Sequence, residues 1–264
     1  MGKQGKTALI TGASSGIGYE LSKLFAADGY DLIPVARNER QLHELATTLQ
    51  QAHDVRVTPI ALDLSEPGVD EVLWSATKRQ NLTVDVLVNN AGYGLLGRFV
   101  DLDGTEMLNM LNLNVLTLTA LTRRFLPPMI ARGWGRVLNI GSTGSFQPVP
   151  SMAVYAASKA YVLSFSEALA QEVRGTGVRV TALCPGMTRT GFQARARMEG
   201  VPSRLNMLGS MSAERVARIG YRALMRGQTV VVPGLLNQLL IQAQRLAPRA
   251  LIRQVSEWMM KSVK

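Results

Sequence analysis

The chain has 264 residues, of which 47% are hydrophobic and only 6% aromatic, enough for one α/β domain with a large, mostly aliphatic core. Cys184 is the lone cysteine, which excludes an intramolecular disulfide and argues against a cysteine-based metal site, and His43 and His53 read as solvated surface residues, so no metal is expected. The formal net charge of +10 favours anionic partners, whether phosphorylated cofactors, acyl carriers, nucleic acid or an anionic membrane, without choosing among them.

The opening Met1-Gly2-Lys3-Gln4-Gly5-Lys6 is short and polar and leaves no room for a secretory signal; Lys6 stands where a myristoylation signal wants Ser or Thr. No apolar run is long enough to cross a bilayer, so a cytoplasmic location is expected. Thr7–Thr11 reads as a first strand and Gly16–Ala27 as a helix with Ile17, Leu21, Leu24 and Phe25 on one stripe. Leu32–Ala36 is a second strand, Glu39–Gln50 a helix, Val55–Ala61 a third strand and Val69–Thr77 a weak helix. Val84–Asn89 is a fourth strand, and a long helix is expected from Thr105 to Phe125, stopped by Pro127-Pro128. Arg136–Ile140 is a fifth strand, Met152–Arg174 a long helix ended by Gly175 and Gly177, Val178–Cys184 a sixth strand and Thr229–Val232 a seventh. This alternation predicts a single α/β domain over 1–264: a doubly wound, Rossmann-type, seven-stranded parallel sheet with helices on both faces. Residues 187–211 read as a loop-like flap, and residues 235–264 as a helical tail interrupted at Pro248.

The first strand runs into Thr11-Gly12-Ala13-Ser14-Ser15-Gly16-Ile17-Gly18, a GxxxGxG spacing rather than GxGxxG. Glycine permits a tight turn and close backbone approach, and the helix start that follows offers free N–H groups to a pyrophosphate. The alternative is an ordinary strand–helix turn. Arg37 follows the second strand, and no carboxylate stands at 35, 36 or 37 to take ribose hydroxyls. Its guanidinium can fork onto a 2′-phosphate, with Ser15 or Asn38 adding a hydrogen bond, so NADP(H) is favoured over NAD. Asp63, past the third strand, can accept from an adenine amine.

Tyr155 and Lys159 lie four apart in Tyr-Ala-Ala-Ser-Lys, on one face of the long helix. A free tyrosine, with a pKa near ~10, is a poor base at neutral pH. Lys159 beside an oxidised nicotinamide would lower it toward the range useful for acid–base work. Alone, such a pair is common on surface helices. Ser142, however, follows the fifth strand at the carboxyl edge where ligands gather, placed to bond a substrate oxygen. Asn89-Asn90-Ala91-Gly92 ends the fourth strand at the same edge, and Asn114 interrupts an apolar helical stretch.

Together these residues resemble the short-chain dehydrogenase/reductase family over residues 5 to 232. The matching motifs are the glycine turn, Asp63-Leu64, Asn89-Asn90-Ala91-Gly92, Asn114, Ser142, Tyr155-x-x-x-Lys159 and Pro185-Gly186-x-x-x-Thr190. Val35-Ala36-Arg37-Asn38, Ala153-Val154-Tyr155 and Val231-Val232-Pro233-Gly234 look like a bacterial-type, NADP-preferring branch. The resemblance implies that Tyr155 exchanges a proton with the carbonyl oxygen while the cofactor exchanges hydride with the carbon. It implies that Lys159 binds the nicotinamide ribose, Ser142 polarises the carbonyl, and Asn114 holds a water that relays protons from Lys159. Gly12, Ser14, Ser15, Gly16, Ile17, Gly18, Arg37, Asp63, Leu64, Asn90, Ala91 and Gly92 would then hold the cofactor, with Pro185, Gly186, Thr188 and Thr190 at the nicotinamide end. Gly141 stands where the family often has a second serine. Homodimers or homotetramers are frequent in the family, and the two long helices are the expected contact surfaces.

The flap carries Phe192, Met198, Val201, Leu205, Met207 and Leu208 among Arg189, Arg195, Arg197 and Arg204; Phe146, Val149 and Met152 are the expected opposite wall. Such a surface suits a bulky hydrophobic ketone or 3-oxoacyl-type substrate, the arginines meeting an anionic handle; alternatively they are merely solvated. The tail has apolar stripes and a basic row of Arg245, Arg249 and Arg253, read first as subunit or core packing and second as peripheral membrane contact. The expected function is an NADP(H)-dependent carbonyl reductase or alcohol dehydrogenase. The alternatives are a non-catalytic NADP-binding regulator, or an isomerase or dehydratase on the same fold. With dispersed basic residues and no zinc-finger or aromatic RNA-binding signature, no nucleic-acid partner is expected.

Overall fold

The structure, a computed structural model, describes residues 5–196 and 209–260. It opens with β1 (Thr7–Thr11), α1 (Gly16–Ala27), β2 (Asp31–Ala36), α2 (Glu39–Ala52), β3 (Ile60–Ala61), α3 (Val69–Arg79) and β4 (Val86–Asn89). Next come α4 (Gly104–Leu111), a π-helical turn over Asn112–Thr117, α5 (Leu118–Ala131), β5 (Gly135–Ile140), α6 (Ala153–Glu172) and β6 (Val178–Leu183). The chain continues through β7 (Thr188–Arg189), α7 (Phe192–Arg195), β8 (Met211–Ser212), α8 (Ala213–Arg226), β9 (Val230–Val231), α9 (Leu235–Leu246) and α10 (Arg249–Met260).

Seven strands form one parallel sheet in the order β3-β2-β1-β4-β5-β6-β9. The order reverses between β1 and β4, which leaves a crevice at the carboxyl ends of the strands. Every residue of β1 is buried because both faces are covered. Ala8 and Ile10 pack with Leu21, Phe25 and Val216 on the side of α1 and α8. Leu9 points the other way, into a core with Leu73, Leu87, Leu121 and Phe125 from the α3 and α5 side. Each fully buried leucine or phenylalanine contributes about 1.5–3 kcal/mol, so these two layers fix the sheet that carries the site.

Some sequence expectations do not hold. The third strand shrinks from Val55–Ala61 to Ile60–Ala61, with one bridge from Val57 to Leu32. Pro59 has no N–H, and an edge strand has a partner on one side only. The seventh, on the opposite edge, shrinks to Val230–Val231. The helix expected over Thr105–Phe125 is broken by the π-helical turn and does not stop before the prolines; Pro127 and Pro128 lie inside α5. Proline in a helix interior costs about 3 kcal/mol or more. Here Phe125, Leu126 and Met129 are buried around the prolines and offset that cost. The flap is not all loop, since β7 pairs with β8 and α7 forms a short turn. Its expected residues Arg197, Met198, Val201, Arg204, Leu205, Met207 and Leu208 lie outside the described residues. The tail divides at Ala247-Pro248 as expected.

Candidate active site

The site begins at the glycine turn. Gly12 and Gly16 have φ of +64° and +59°, which favours glycine, and a Cβ on Gly12 would lie 2.8 Å from Asn90 Nδ2. Asn90 Nδ2 donates to the carbonyls of Thr11 and Gly12, at 2.8 and 3.1 Å. Thr11 Oγ1 accepts from the Asn90 and Ala91 amides and donates to Val88 O. Thus β4 holds the turn after β1, and Thr11 is a positioning residue that sequence reading missed. The Ser15 side chain makes no cap on α1, so the first-turn N–H groups face the crevice without it. Gly18 does not line the crevice. A Cβ there would come within 2.4 Å of Gly12 O, so it serves close packing of helix on turn.

One cavity of about 700 Å³ runs along the carboxyl edge. Gly12, Ser14, Ser15, Gly16 and Ile17 line one stretch, followed by Arg37, Asp63 and Leu64, then Asn90, Ala91 and Gly92. Ser142, Tyr155 and Lys159 face it, as do Pro185, Gly186, Thr188 and Thr190. Arg37 is half exposed at the end of β2, with one guanidinium nitrogen 3.4 Å from Asp63 Oδ2. Such an exposed pair is worth about 0–1 kcal/mol and leaves most of the guanidinium fork available. Asn38 accepts from Gln41 N as the cap of α2, so its side chain is already engaged. Asp63 Oδ1 accepts from Ser65 N and Oγ at 2.9 and 2.6 Å.

Tyr155 and Lys159 sit one turn apart near the start of α6. Lys159 Nζ is buried, donates to Ile140 O at 2.8 Å and lies 5.9 Å from the centre of the Tyr155 ring. Burial pushes the ammonium down to about 8. Burial also pushes Tyr155 up to about 12, against a hydrogen bond with Ser142. In the protein alone the tyrosine is thus raised, because desolvation outweighs the Ser142 hydrogen bond. Ser142 Oγ accepts from Gly144 N, while Ser145 Oγ accepts from Ser142 N and donates to Lys159 O. Ser145 thus ties the Ser142 turn to α6, a second positioning residue that nothing in the sequence marked out.

Asn114 is 1% exposed, in the π-helical turn, and lies behind the cavity rather than on its wall. Its Nδ2 donates to Tyr93 O and Ser158 Oγ, and its Oδ1 accepts from Tyr93 N. Gly92 separates it from Lys159: a Cβ there would be 2.8 Å from Asn114 Oδ1 and 3.4 Å from Lys159 Nζ. At Gly141 a Cβ would meet Cys184 Sγ at 2.8 Å, which accounts for glycine at that position. Cys184 is buried, and burial pushes its thiol up to about 12, so it reads as a packing residue.

Beyond Tyr155 the walls are apolar. Val149, Met152, Met187 and Phe192 cluster there, with the Phe192 ring 5.5 Å from that of Tyr155. Phe146 is not part of this wall. The 3₁₀ turn Thr143–Phe146 directs it to the opposite side, against Leu163, Cys184, Val230 and Val232. In its place the tail supplies Ser256, Met259 and Met260 from α10. Tail spacing showed amphipathic helices but not which face turns inward, so this contribution was not legible. Arg195, from the flap, lies over the Tyr93 ring at 4.5 Å and also borders the cavity. Among the described residues no group of three or more His, Cys, Asp or Glu could hold a metal, and no helix is long and apolar enough to cross a membrane.

Comparison with known proteins agrees with this geometry. The short chain dehydrogenase family model matches residues 6–199. The NADP-dependent 3-hydroxy acid dehydrogenase of Schizosaccharomyces pombe is 33% identical over 241 residues, covering 86% of this chain and 90% of that protein. Among solved structures, a short-chain dehydrogenase from Sphingobium yanoikuyae in complex with NADPH has a TM-score of 0.81 at 31% identity, covering 91% of this chain and 94% of that one. One from Burkholderia phymatum in complex with NAD has a TM-score of 0.80 at 25% identity, covering 92% and 93%.

Proposed function

Because this chain belongs to the short-chain dehydrogenase/reductase family, an oxidoreductase family acting on CH–OH and C=O groups, we propose that it is an NADP(H)-dependent carbonyl reductase or alcohol dehydrogenase for a bulky hydrophobic ketone or 3-oxoacyl-type substrate. The observation that carries the reading is the meeting of Ser142, Tyr155 and Lys159 at one cavity, beside an apolar wall of Val149, Met152, Phe192 and Met260. The cavity fits a dinucleotide: it has the room, a glycine turn that any Cβ would fill, and a helix start not capped by Ser15. Arg37, at the strand end with no acid at 35–37, supports the 2′-phosphorylated form.

When bound, NADP(H) supplies or accepts the hydride. The chain's own residues manage the oxygen. Ser142 Oγ orients and polarises the carbonyl, and the Tyr155 hydroxyl gives it a proton, or removes one in reverse. Lys159 would hold the nicotinamide ribose and add positive charge near Tyr155. Asn114 keeps Tyr93 and Ser158 in place behind it and, with a water, would link Lys159 to solvent. Reduction needs the phenol form of Tyr155 and oxidation needs the phenolate. Burial raises this group, so oxidation rises with pH, whereas reduction holds through neutral pH and falls only in alkali. We also read a homo-oligomer, with α4, the π-helical turn and α6 as contact surfaces, since Leu108, Leu116 and Tyr161 are exposed there; its mass in solution tests this.

The test is loss of NADPH absorbance against ketones, aldehydes, ketosteroids and 3-oxoacyl thioesters, with NADH in parallel. Tyr155→Phe should lower turnover by roughly 10²–10⁴-fold with NADPH binding retained. Arg37→Ala should weaken NADPH by roughly tenfold and leave NADH unchanged. Equal use of NADPH and NADH by the native protein would defeat the NADP assignment. Tight NADPH binding with no turnover on any substrate would favour the non-catalytic regulator.

A further inference from the structure

We infer that the consecutive helices α9 and α10 dock this protein on an anionic membrane surface. An amphipathic helix on a globular protein normally turns its apolar stripe to the core. In α9 the arrangement is reversed. Leu235, Leu236, Leu239, Leu240 and Leu246 fall on one arc and all are exposed, Leu235 by 71%, Leu239 by 58% and Leu246 by 90%. The opposite arc faces the protein and is mostly polar. There Asn237 donates to Pro233 O, Gln244 donates to Gln147 Oε1, and only Ile241 is buried.

The next helix repeats the pattern. Ser256 and Met260 of α10 turn inward to the catalytic cavity, while Leu251 and Val255 turn to solvent. Single exposed apolar residues need no explanation, but a stripe on each of two consecutive helices does. The charge on these two helices chooses the occupant. Residues 235–260 contain Arg245, Arg249 and Arg253 and one acid, Glu257, in a chain of net charge +10. Arg245 and Arg249 border a small cavity of about 320 Å³ with Phe146, Pro148 and Ile252. A second copy of this chain, itself of net charge +10 and with one acid in this stretch, offers those arginines no anionic patch. Anionic lipid offers phosphate to the guanidinium groups and acyl chains to the leucines. No described helix can span the bilayer, so the contact is peripheral.

The experiment is co-sedimentation of the full chain with phosphatidylcholine vesicles, with and without phosphatidylglycerol, at low and high salt. The native protein should pellet with the anionic vesicles and be released by salt. Leu236→Glu with Leu239→Glu, and separately Arg245→Ala with Arg249→Ala, should each weaken binding by roughly tenfold or more. NADPH affinity and melting temperature should stay at native values in both variants, which shows that they fold. Failure to pellet with anionic vesicles at low salt overturns the proposal. Vesicle binding that survives the leucine changes also overturns it, because charge alone would then explain the binding. So does an oligomer that the leucine changes dissolve in the absence of any vesicle binding, since the face would then belong to a second copy.

Discussion

At Lys159, burial and charge oppose each other. The ammonium is almost wholly enclosed and donates to a single carbonyl, Ile140 O. Its value falls from 10.5 to about 8 through desolvation, which corresponds to a cost on the order of 3 kcal/mol by linkage. Below pH 8 both folded and unfolded chains carry the proton, and the folded state bears the full cost. Between pH 8 and 10.5 the unfolded chain holds a proton that the folded chain has lost, so stability rises with pH across that window. Lys159→Met in the ligand-free protein should therefore be more stable than native near pH 7, with the advantage shrinking above pH 8. Urea midpoints at pH 7 and pH 10 measure it; an equal difference at both would remove the titration argument. The residues that line the cavity were legible one by one, because Tyr155, Lys159, Ser142 and Arg37 each follow a strand or share a helix face. Those that hold them were not. Thr11 and Ser145 act through hydrogen bonds spanning 79 and 14 residues, and no local pattern marks such a partner.

Elements show the same division. Strands and helices with a clean stripe, such as α1 and β1, have the bounds that their periodicity implies. Edge strands were overdrawn because only tertiary pairing decides their length, and the way α9 turns was not legible because amphipathicity gives a face but not a direction. One set of contacts between elements was invisible in sequence. Asn89 Nδ2 donates to Thr122 Oγ1 and Asn139 Oδ1, and Asn139 Nδ2 donates to Ser166 Oγ, all buried. This chain of bonds links α5, β4, β5 and α6 just beneath the carboxyl edge of the sheet. Asn139→Ala leaves Ser166 and Asn89 each short of a partner in a low-dielectric interior and opens a small cavity. It should lower the unfolding free energy by about 2–3 kcal/mol. A chemical denaturation curve within about 0.5 kcal/mol of native would show that the network carries little.

For the whole molecule, the cavity is a joint product of distant stretches. The sheet edge supplies the polar floor from residues 12 to 190, and α10 returns at the far end of the described chain to supply Ser256, Met259 and Met260. Sequence order suggested an appendage there, whereas the fold makes it a wall, a relation that no window of neighbouring residues contains. The π-helical turn at Asn112–Thr117 has a comparable reach. A π turn holds one residue more than the α-helix on either side requires. Deletion of Val115 would remove the extra residue and restore a regular helix, with the phase of α4 relative to α5 nearly kept but the residues of the turn itself re-aimed. Asn114, inside the turn, would leave the back of Gly92. The protein should then lose turnover and several degrees of melting temperature together, although every chemical group facing the cavity is still encoded. In this helix the count of residues, as much as their identity, carries the information, and a one-codon loss would reach the surroundings of Lys159 through a re-aimed Asn114.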